Sequence, residues 1–296
     1  YVESIRASDL KSDNDEALAL LEQAVAIDTA FAMAWRRIAV LLNNDGREPA
    51  RALAALERAY SHRDRLTEFE RHLLEGYYFM RGPRVDWNQA KRAYEAAAQV
   101  DTTATAPLNN AGVVAGQLRQ HAQAESLFTE SVRRGARNVS NYNNLIGTSL
   151  FLGRPASQLD SVRRLMYERF PESEALWIAD WFVARADKRF VAQDSIARAA
   201  LARARAPTAR FAALTSMANS AQMLGRPREA MRLFSDARKI RLATSTGPLE
   251  RLNAAIDSAI VFATTMEQPA QARAILGRAL DRYPPSALTP IERPWE

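Results

Sequence analysis

Residues 105–138 read TAPLNNAGVVAGQLRQHAQAESLFTESVRRGARN, and this stretch decides the fold. Small and apolar residues first recur at the i, i+3, i+4, i+7 spacing of one helix face: Leu108, Ala111, Gly112 and Ala115. A small-x-x-x-bulky-x-x-small pattern follows: Ala124, Phe128 and Ser131. Small residues let two antiparallel helices approach closely, and the bulky residue fills the gap between neighbouring pairs. The stretch therefore predicts one antiparallel helix pair.

The second-helix pattern recurs along the whole chain, at Ala17/Leu21/Ala24, Ala52/Leu56/Ala59, Ala90/Tyr94/Ala97, Ala192/Ile196/Ala199, Ala230/Phe234/Ala237 and Ala272/Leu276/Ala279. From Ala17 to Ala272 the leading alanines are 35, 38, 34, 68, 38 and 42 residues apart. The spacing of 68 is two periods of 34, with a degenerate unit at Gln158, Val162 and Leu165. First helices recur too, at Trp35/Ile38/Ala39/Leu42, Tyr142/Leu145/Ile146 and Leu214/Met217/Ala218/Ala221. Repeated helix pairs that each need their neighbours predict a solenoid.

Turn signals separate the two helices of several units: Asp45-Gly46-Arg47, Gly153-Arg154-Pro155, Gly225-Arg226-Pro227 and Gln268-Pro269. Gly is suited to end the first helix, and Pro is suited to begin the second. The chain is also rich in the strong helix formers Ala, Leu, Arg, Glu and Gln. We therefore expect an all-α protein.

The aromatic or Leu, the following Gly or Ala, the turn Gly and the Ala-x-x-x-Phe-x-x-Ala pattern together resemble the tetratricopeptide repeat. This resemblance implies a right-handed superhelical solenoid of about eight antiparallel helix pairs over residues 1–286, followed by a Pro-rich tail at 287–296 that could fold back over the last unit. The units would start near residues 1, 32, 67, 105, 139, 173, 211 and 253. The long turn at Arg81–Trp87, and Asp180 at a usual Gly or Ala position, predict irregular units.

The segments AFAMAW at 30–35 and AYSHRDRLTEFER at 59–71 look like the repeat regions appended to bacterial Ser/Thr protein kinases. Similar arrays follow winged-helix regulators and adenylate cyclases. The resemblance implies a sensory or partner-docking region of a larger bacterial protein, or a docking subunit of a complex. Because the sequence starts at Tyr1 without Met, we expect a processed piece whose missing N-terminal part could hold a membrane anchor or an enzyme.

Catalytic and metal motifs are missing from the sequence. There is no cysteine, and His62, His72 and His121 do not stand in a metal-ligand spacing. His62-Arg63-Asp64 matches the start of a kinase catalytic loop, but Phe69 stands where that loop needs Asn. We interpret it as a turn in which residues 64–67 end one helix and cap the next. We expect no enzyme, metal or cofactor in this segment.

The charge pattern favours a protein or peptide partner over nucleic acid. Only Lys11, Lys91, Lys188 and Lys239 of the 40 basic residues are lysines, which leaves 36 arginines. They are interleaved with 34 acidic residues, so the net charge is a modest +6. A nucleic-acid-binding helical repeat that uses its arginines remains the alternative. No apolar stretch reaches the length of a transmembrane helix, while association with a membrane complex, the compartment and the oligomeric state stay open.

The concave face of such a solenoid is lined by first-helix residues offset from the core stripe. These predicted partner-binding residues are Arg36, Asn43, Asn44, Asn109, Gln117, Asn143, Trp177, Trp181, Asn219 and Gln222, with Asp257 further along. Amide side chains offer both a donor and an acceptor to the main chain of an extended peptide. We therefore expect a protein-interaction scaffold. Asn110 and Asn144 match a common family position and could instead cap adjacent helices.

Trp177 and Trp181 are four residues apart on a helix that is apolar on nearly every side. If Leu176, Ala179 and Val183 form its core stripe, both indoles face the groove. The two interpretations are burial within the chain and contact with a partner.

Overall fold

The computed structural model describes residues 1–10, 14–44, 48–244, 248–264 and 266–288. Within these ranges the chain forms sixteen α-helices and two short 3-10 turns, Arg63–Arg65 and Pro285–Ala287, and no β-strand. The helices are α1 Val2–Leu10, α2 Asn14–Ile27, α3 Ala32–Asn44, α4 Pro49–Ser61, α5 Glu68–Arg81, α6 Trp87–Val100, α7 Ala106–Gln117, α8 His121–Arg133, α9 Val139–Phe151, α10 Ala156–Arg169, α11 Leu176–Ala186, α12 Phe190–Arg203, α13 Pro207–Met223, α14 Pro227–Thr244, α15 Pro248–Thr264 and α16 Pro269–Arg282.

The helices are organised in two compact units, an N-terminal unit of residues 1–136 and a C-terminal unit that begins at Arg137. In each unit, successive helices pack as antiparallel pairs, and each pair packs mainly on its neighbours along the chain. That contact pattern is typical of helical-repeat proteins. The predicted all-α fold of antiparallel helix pairs is confirmed.

The predicted small and bulky positions of the second helices are buried in the N-terminal unit, except Ala24 of α2, which is half-buried. Ala52, Leu56 and Ala59 of α4 are fully buried, as are Ala90, Tyr94 and Ala97 of α6. A glycine in the preceding first helix makes room for the bulky ring. A Cβ on Gly76 would lie 2.7 Å from the Tyr94 ring, and one on Gly112 would lie 2.6 Å from the Phe128 ring. The repeat therefore specifies a ring-on-glycine contact between the helices of a pair.

The predicted register of two second helices is wrong by one residue. In α10 the structure buries Leu159 and Met166 in place of Gln158 and Leu165. Advancing one residue turns a helix face by about 100°, and here that turn moves Gln158 to solvent. The contacts with α9 and α11 thus decide the buried face of α10.

In α12 the buried residues are Gln193, Asp194 and Ala197 in place of the predicted Ala192/Ile196/Ala199 set. Both amide atoms of Gln193 are buried without a hydrogen-bond partner among the described residues. Close packing at Ala197 therefore selects a register that the alanine pattern alone did not reveal.

Asp180 in α11, which departs from the usual Gly or Ala, receives two side chains from α10. Its carboxylate accepts from the Arg163 guanidinium at 3.2 Å and from the Tyr167 hydroxyl at 2.5 Å. This polar contact joins α11 to α10, the second helix of the preceding unit. It explains why the acidic residue is tolerated at this position.

The turn chemistry follows the sequence closely. Gly153 and Gly225 adopt positive φ angles of 69° and 70°, a conformation that favours glycine, and Pro227 and Pro269 begin α14 and α16. The long turn of the third unit separates α5, which ends at Arg81, from α6, which starts at Trp87.

Two sequence predictions concern residues at or beyond the edges of the described ranges. The Asp45-Gly46-Arg47 turn and residues 289–296 of the tail lie outside the described residues. Before them, Pro285–Ala287 form a 3-10 turn, and the Leu288 side chain is 5% exposed. Leu288 is therefore packed against the protein, whereas Pro284, Pro285 and Ser286 before it are exposed.

Candidate functional site

Tyr77 of α5 organises a polar face on the first helices of the N-terminal unit. Its side chain is 6% exposed, and its hydroxyl accepts a hydrogen bond from Asn43 Nδ2 of α3 at 2.9 Å. The hydroxyl lies 3.4 Å from the Ala39 carbonyl, to which it donates. Burial raises the pKa of Tyr77, and the Asn43 hydrogen bond, Arg81 and Arg36 offset part of that rise. The contact fixes the Asn43 amide at the junction of two repeats.

Two guanidinium groups flank Tyr77. The Arg36 guanidinium carbon lies 5.8 Å from the centre of the Tyr77 ring, and Arg81 stands at the exposed C-terminal end of α5. Among the described residues neither arginine has a carboxylate within ion-pair distance, and the Arg36 Nε–H is buried without a hydrogen-bond partner. Within the part of the chain that the structure describes, this face therefore carries two positive charges without a paired acid.

Tyr94 of α6 lies beneath the same face. Its side chain is fully buried, and its hydroxyl has no partner with normal hydrogen-bond geometry among the described residues. Burial raises the pKa of Tyr94, while Arg36, Arg81 and the Asn110 amide act in the opposite direction. The Tyr94 hydroxyl is thus close to residues of α3, α5 and α7.

We call these first-helix residues the tyrosine-centred patch. It consists of Arg36, Asn43, Tyr77, Arg81, Asn109 and Asn110. Asn109 Nδ2 lies 3.5 Å from Asn110 Oδ1, so the two amides of α7 are adjacent. Amide groups, and guanidinium groups that are not paired with a carboxylate, can donate hydrogen bonds to the main-chain carbonyls and carboxylates of a ligand.

The structure brings together only some of the sequence-predicted residues of the N-terminal unit. Arg36 and Asn43 meet at Tyr77, and Asn109 lies beside Asn110. Asn44 and Gln117 are exposed at the C-terminal ends of α3 and α7. No contact in the structure joins Asn44 or Gln117 to the tyrosine-centred patch within the described residues. Of the predicted set, Arg36 and Asn43 therefore meet at Tyr77, and Asn109 is linked to them only through Asn110, which lies near Tyr94.

In the C-terminal unit, Asn143, Asn219 and Gln222 are half-buried on α9 and α13. The Asn143 Oδ1 and Gln222 Nε2 atoms are buried without a hydrogen-bond partner among the described residues. Asp257 is exposed on α15.

For Trp181, where burial and partner contact were both open, the structure favours burial within the chain. The Trp181 side chain is 7% exposed and packs in a cluster with Leu214 and Met217, and its indole N–H donates to Ser220 Oγ at 3.2 Å. Trp177 is half-buried against the same cluster. Because α11 is apolar on nearly every side, a residue outside its predicted core stripe can also be buried. Trp181 is such a residue, and it packs against α13. Burial within the chain is the interpretation that holds for Trp181.

Sequence reasoning missed Tyr77 and Arg81 and treated Tyr94 only as a core residue. One signal could have found Tyr77, because it stands 34 residues after Asn43, which is one full repeat period. Residues one period apart occupy equivalent places on neighbouring first helices and so can contact each other.

His72 and His62 lie in local helix and turn contacts. His72 Nδ1 lies 3.2 Å from Glu75 within α5, and His62 precedes the 3-10 turn Arg63–Arg65. Thr67 then caps α5 in a capping box with Glu70, as the turn interpretation predicted. Across the described ranges, no three His, Asp or Glu side chains gather as metal ligands would. In the same ranges, no helix has the length and apolar character needed to cross a membrane.

Comparison with solved structures identifies the fold. The chain superposes on the structure titled "Crystal structure of APC/C hetero-tetramer Cut9-Hcn1" with a TM-score of 0.62 and 17% identity, covering 97% of this chain and 55% of that one. It also matches the structure titled "Human IFIT1 dimer with PPP-AAAA" with a TM-score of 0.55 and 16% identity, covering 92% of this chain and 65% of that one.

The fold is that of the tetratricopeptide repeat. The chain spans about half to two thirds of the length of these matched proteins. At this level of identity the likeness concerns the fold alone. No protein-family model and no curated protein sequence matches the chain.

Proposed function

We propose that this chain is a protein-interaction scaffold that binds an acidic, extended peptide segment of a partner at the tyrosine-centred patch. The observation that carries the proposal is the pair Arg36 and Arg81, which has no acidic partner among the described residues. Two unneutralised guanidinium groups on one face favour an anionic ligand and steer it during association.

The amides of the patch suit a peptide main chain. Asn43 is held by the Tyr77 hydroxyl through its Nδ2, so its Oδ1 has a defined position. Such pre-organised groups cost less entropy on binding than mobile side chains. Asn109 and Asn110 of α7 present further amide groups in the unit that follows the unit of Tyr77. The patch therefore combines charge complementarity with main-chain recognition.

The role we propose is binding, with no catalytic step assigned to this segment. The raised pKa values of Tyr77 and Tyr94 arise first from burial in helix packing. The likeness of segments 30–35 and 59–71 to kinase-appended repeats supports a docking region of a larger bacterial protein or complex. Protein partners are also consistent with the Cut9–Hcn1 assembly, whose Cut9 chain shares this fold.

The test is selection of peptides from a display library on the immobilised full chain, followed by fluorescence anisotropy with the enriched peptides. Acidic segments should be enriched. Arg36→Gln and Arg81→Gln should each weaken binding about 1.4- to fivefold, as expected for solvent-accessible ion pairs worth about 0.2–1 kcal/mol. Arg92→Gln, an exposed arginine on α6, is the matched control and should leave affinity unchanged.

A nucleic-acid ligand is the second candidate, since the same guanidinium groups could contact phosphates and IFIT1 was solved with PPP-AAAA. The same anisotropy assay with single-stranded RNA separates the two. Tighter binding of RNA than of any selected peptide, with an affinity that falls steeply as salt rises, would replace the peptide proposal. Enrichment of neutral or basic peptides would also contradict it.

A further inference from the structure

The helices α13, α14 and α15 are longer than the others of the C-terminal unit. They contain 17, 18 and 17 residues, whereas α9–α12 and α16 contain 11 to 14. The same excess appears in the sequence, where Ala230 and Ala272 are 42 residues apart in a chain with a basic period of 34. The added residues amount to about one helical turn per helix.

A pocket of about 90 Å³ lies where these helices meet. Its apolar walls are Phe211 of α13 and Phe234 of α14, both half-buried. Its floor includes the buried alanines Ala237 of α14 and Ala254 of α15. Because Phe211 lies one turn into α13 and Arg241 lies in the last third of α14, the ends of the extended helices contribute to the pocket.

The charged residues of the pocket differ in exposure. Arg241 and Asp257 are exposed at its rim. The Arg241 guanidinium carbon lies 4.8 Å from the centre of the Phe211 ring, a cation–π contact that holds the planar group in place. Two lining arginines against one lining carboxylate give the pocket a net positive charge.

Arg238 contributes the second positive charge from the wall. Its Nη2 donates to the Ala254 carbonyl and to Ser258 Oγ, the latter at 3.1 Å, which ties α14 to α15. Its Nε–H is buried and has no hydrogen-bond partner among the described residues. The Nη2 contacts hold the Arg238 guanidinium beside the pocket, where its positive charge favours an anionic ligand.

We propose that this pocket binds a small organic carboxylate with an aryl or branched-alkyl body. The body lies between Phe211 and Phe234, and the carboxylate meets Arg241 at the rim. A guanidinium group matches a carboxylate with two parallel hydrogen bonds, which a neutral amide cannot reproduce. The site is in the C-terminal unit and so does not depend on the peptide-binding patch of the N-terminal unit.

The volume sets the size of the ligand. About 90 Å³ corresponds to about three water molecules at the volume each occupies in the liquid, so the pocket admits only a small apolar group. Benzoate and isovalerate are small enough for the body to enter from the open side while the carboxylate stays at the rim, whereas a peptide segment is too large. An apolar cleft with a few convergent polar groups is the usual form of a small-molecule site.

The experiment titrates the isotope-labelled full chain with benzoate, isovalerate and benzamide and follows backbone amide shifts by NMR. Benzoate and isovalerate should shift the amides of Ala237 and Ala254, and benzamide should bind about tenfold more weakly because it lacks the charge. Arg241→Gln should lower benzoate affinity about tenfold and leave benzamide affinity unchanged. Arg232→Gln, exposed on the same helix and outside the pocket lining, should change neither.

A second variant blocks the pocket itself. Thr215→Phe replaces a half-buried lining residue of α13 with a larger one and should abolish binding of all three compounds. Circular dichroism melting confirms that each variant is folded, and the exposed Arg241→Gln change tests the proposal even where Thr215→Phe fails to fold. Equal affinity for benzamide and benzoate, unchanged benzoate binding in Arg241→Gln, or shifts confined to other surfaces would overturn the proposal.

Discussion

Gly76 of α5 lies directly against the ring of Tyr94 in α6, so closely that an added Cβ would be 2.7 Å from the ring. Tyr94 is itself fully buried, so packed atoms enclose the ring and leave it little room to move away. The contact fixes how closely the two helices of this repeat approach. It also sets the depth at which Tyr94 lies beneath the tyrosine-centred patch.

Gly76→Ala should therefore lower the free energy of unfolding by about 1–3 kcal/mol, the usual cost of overpacking a core. The matched control is Gly277→Ala in α16, where no atom lies within 4 Å of the added Cβ. There the higher helix propensity of alanine should raise stability by about 0.5–1 kcal/mol. Urea unfolding followed by circular dichroism measures both changes. Equal effects at the two positions would contradict the close contact.

The Asn43–Tyr77 hydrogen bond should couple α3 to α5. Asn43→Ala should cost about 1 kcal/mol of unfolding free energy, because the Tyr77 hydroxyl loses its short partner at 2.9 Å. In a Tyr77→Phe background the same change should cost clearly less, since the bond is already absent. A double-mutant cycle of urea melts gives the coupling energy. Additive effects would show that the two side chains do not interact in solution.

Trp181 and Trp177 should respond differently to truncation. Trp181→Ala should destabilise the protein by about 3–5 kcal/mol because it empties a buried site and leaves Ser220 without its indole donor. Trp177→Ala should cost less, because its side chain is only half-buried. Thermal and urea melts of the two variants provide the comparison. A stable Trp181→Ala protein would contradict the burial found here.

The Glu130 carboxylate accepts hydrogen bonds from two arginines and should titrate at unusually low pH. Arg133 Nε and Nη2 lie at 2.6 and 2.7 Å, and Arg134 Nε lies at 2.8 Å. These contacts lower the pKa of Glu130 from its usual 4.5 to about 2, with Arg133 the larger cause. Because the folded pKa is lowered, the contribution to stability is present above pH 4.5 and is lost as the pH falls toward 2.

Carbon NMR of the Glu130 carboxyl between pH 3 and 7 checks this prediction. The resonance should remain that of the ionised form at pH 3. Arg133→Gln should move the midpoint toward 4.5, and Arg134→Gln should do so to a smaller extent. A midpoint near 4.5 in the unmodified protein would show that the arginines do not hold the carboxylate in solution.

Much of the fold could be predicted because each repeat is specified locally. The spacing of Ala90, Tyr94 and Ala97 and the turn glycines Gly153 and Gly225 are features within one helix pair, and the structure places them as expected. The candidate site was predicted less completely. Arg36, Asn43 and Asn109 were identified from their helix positions, but Tyr77, which joins the first two, depends on a contact between repeats.

The sequence by itself determined the helix pairs, their period and the residues at which the turns occur, because hydrophobic periodicity and turn chemistry act over a few residues. Only the tertiary structure decided which face of α10, α11 and α12 is buried, and with it the burial of Trp181 and Gln193. A helix with several apolar or small faces can pack in more than one rotation, and its neighbours select one. The pocket beside Arg241 likewise depends on the tertiary structure, since its lining residues come from three extended helices that meet there.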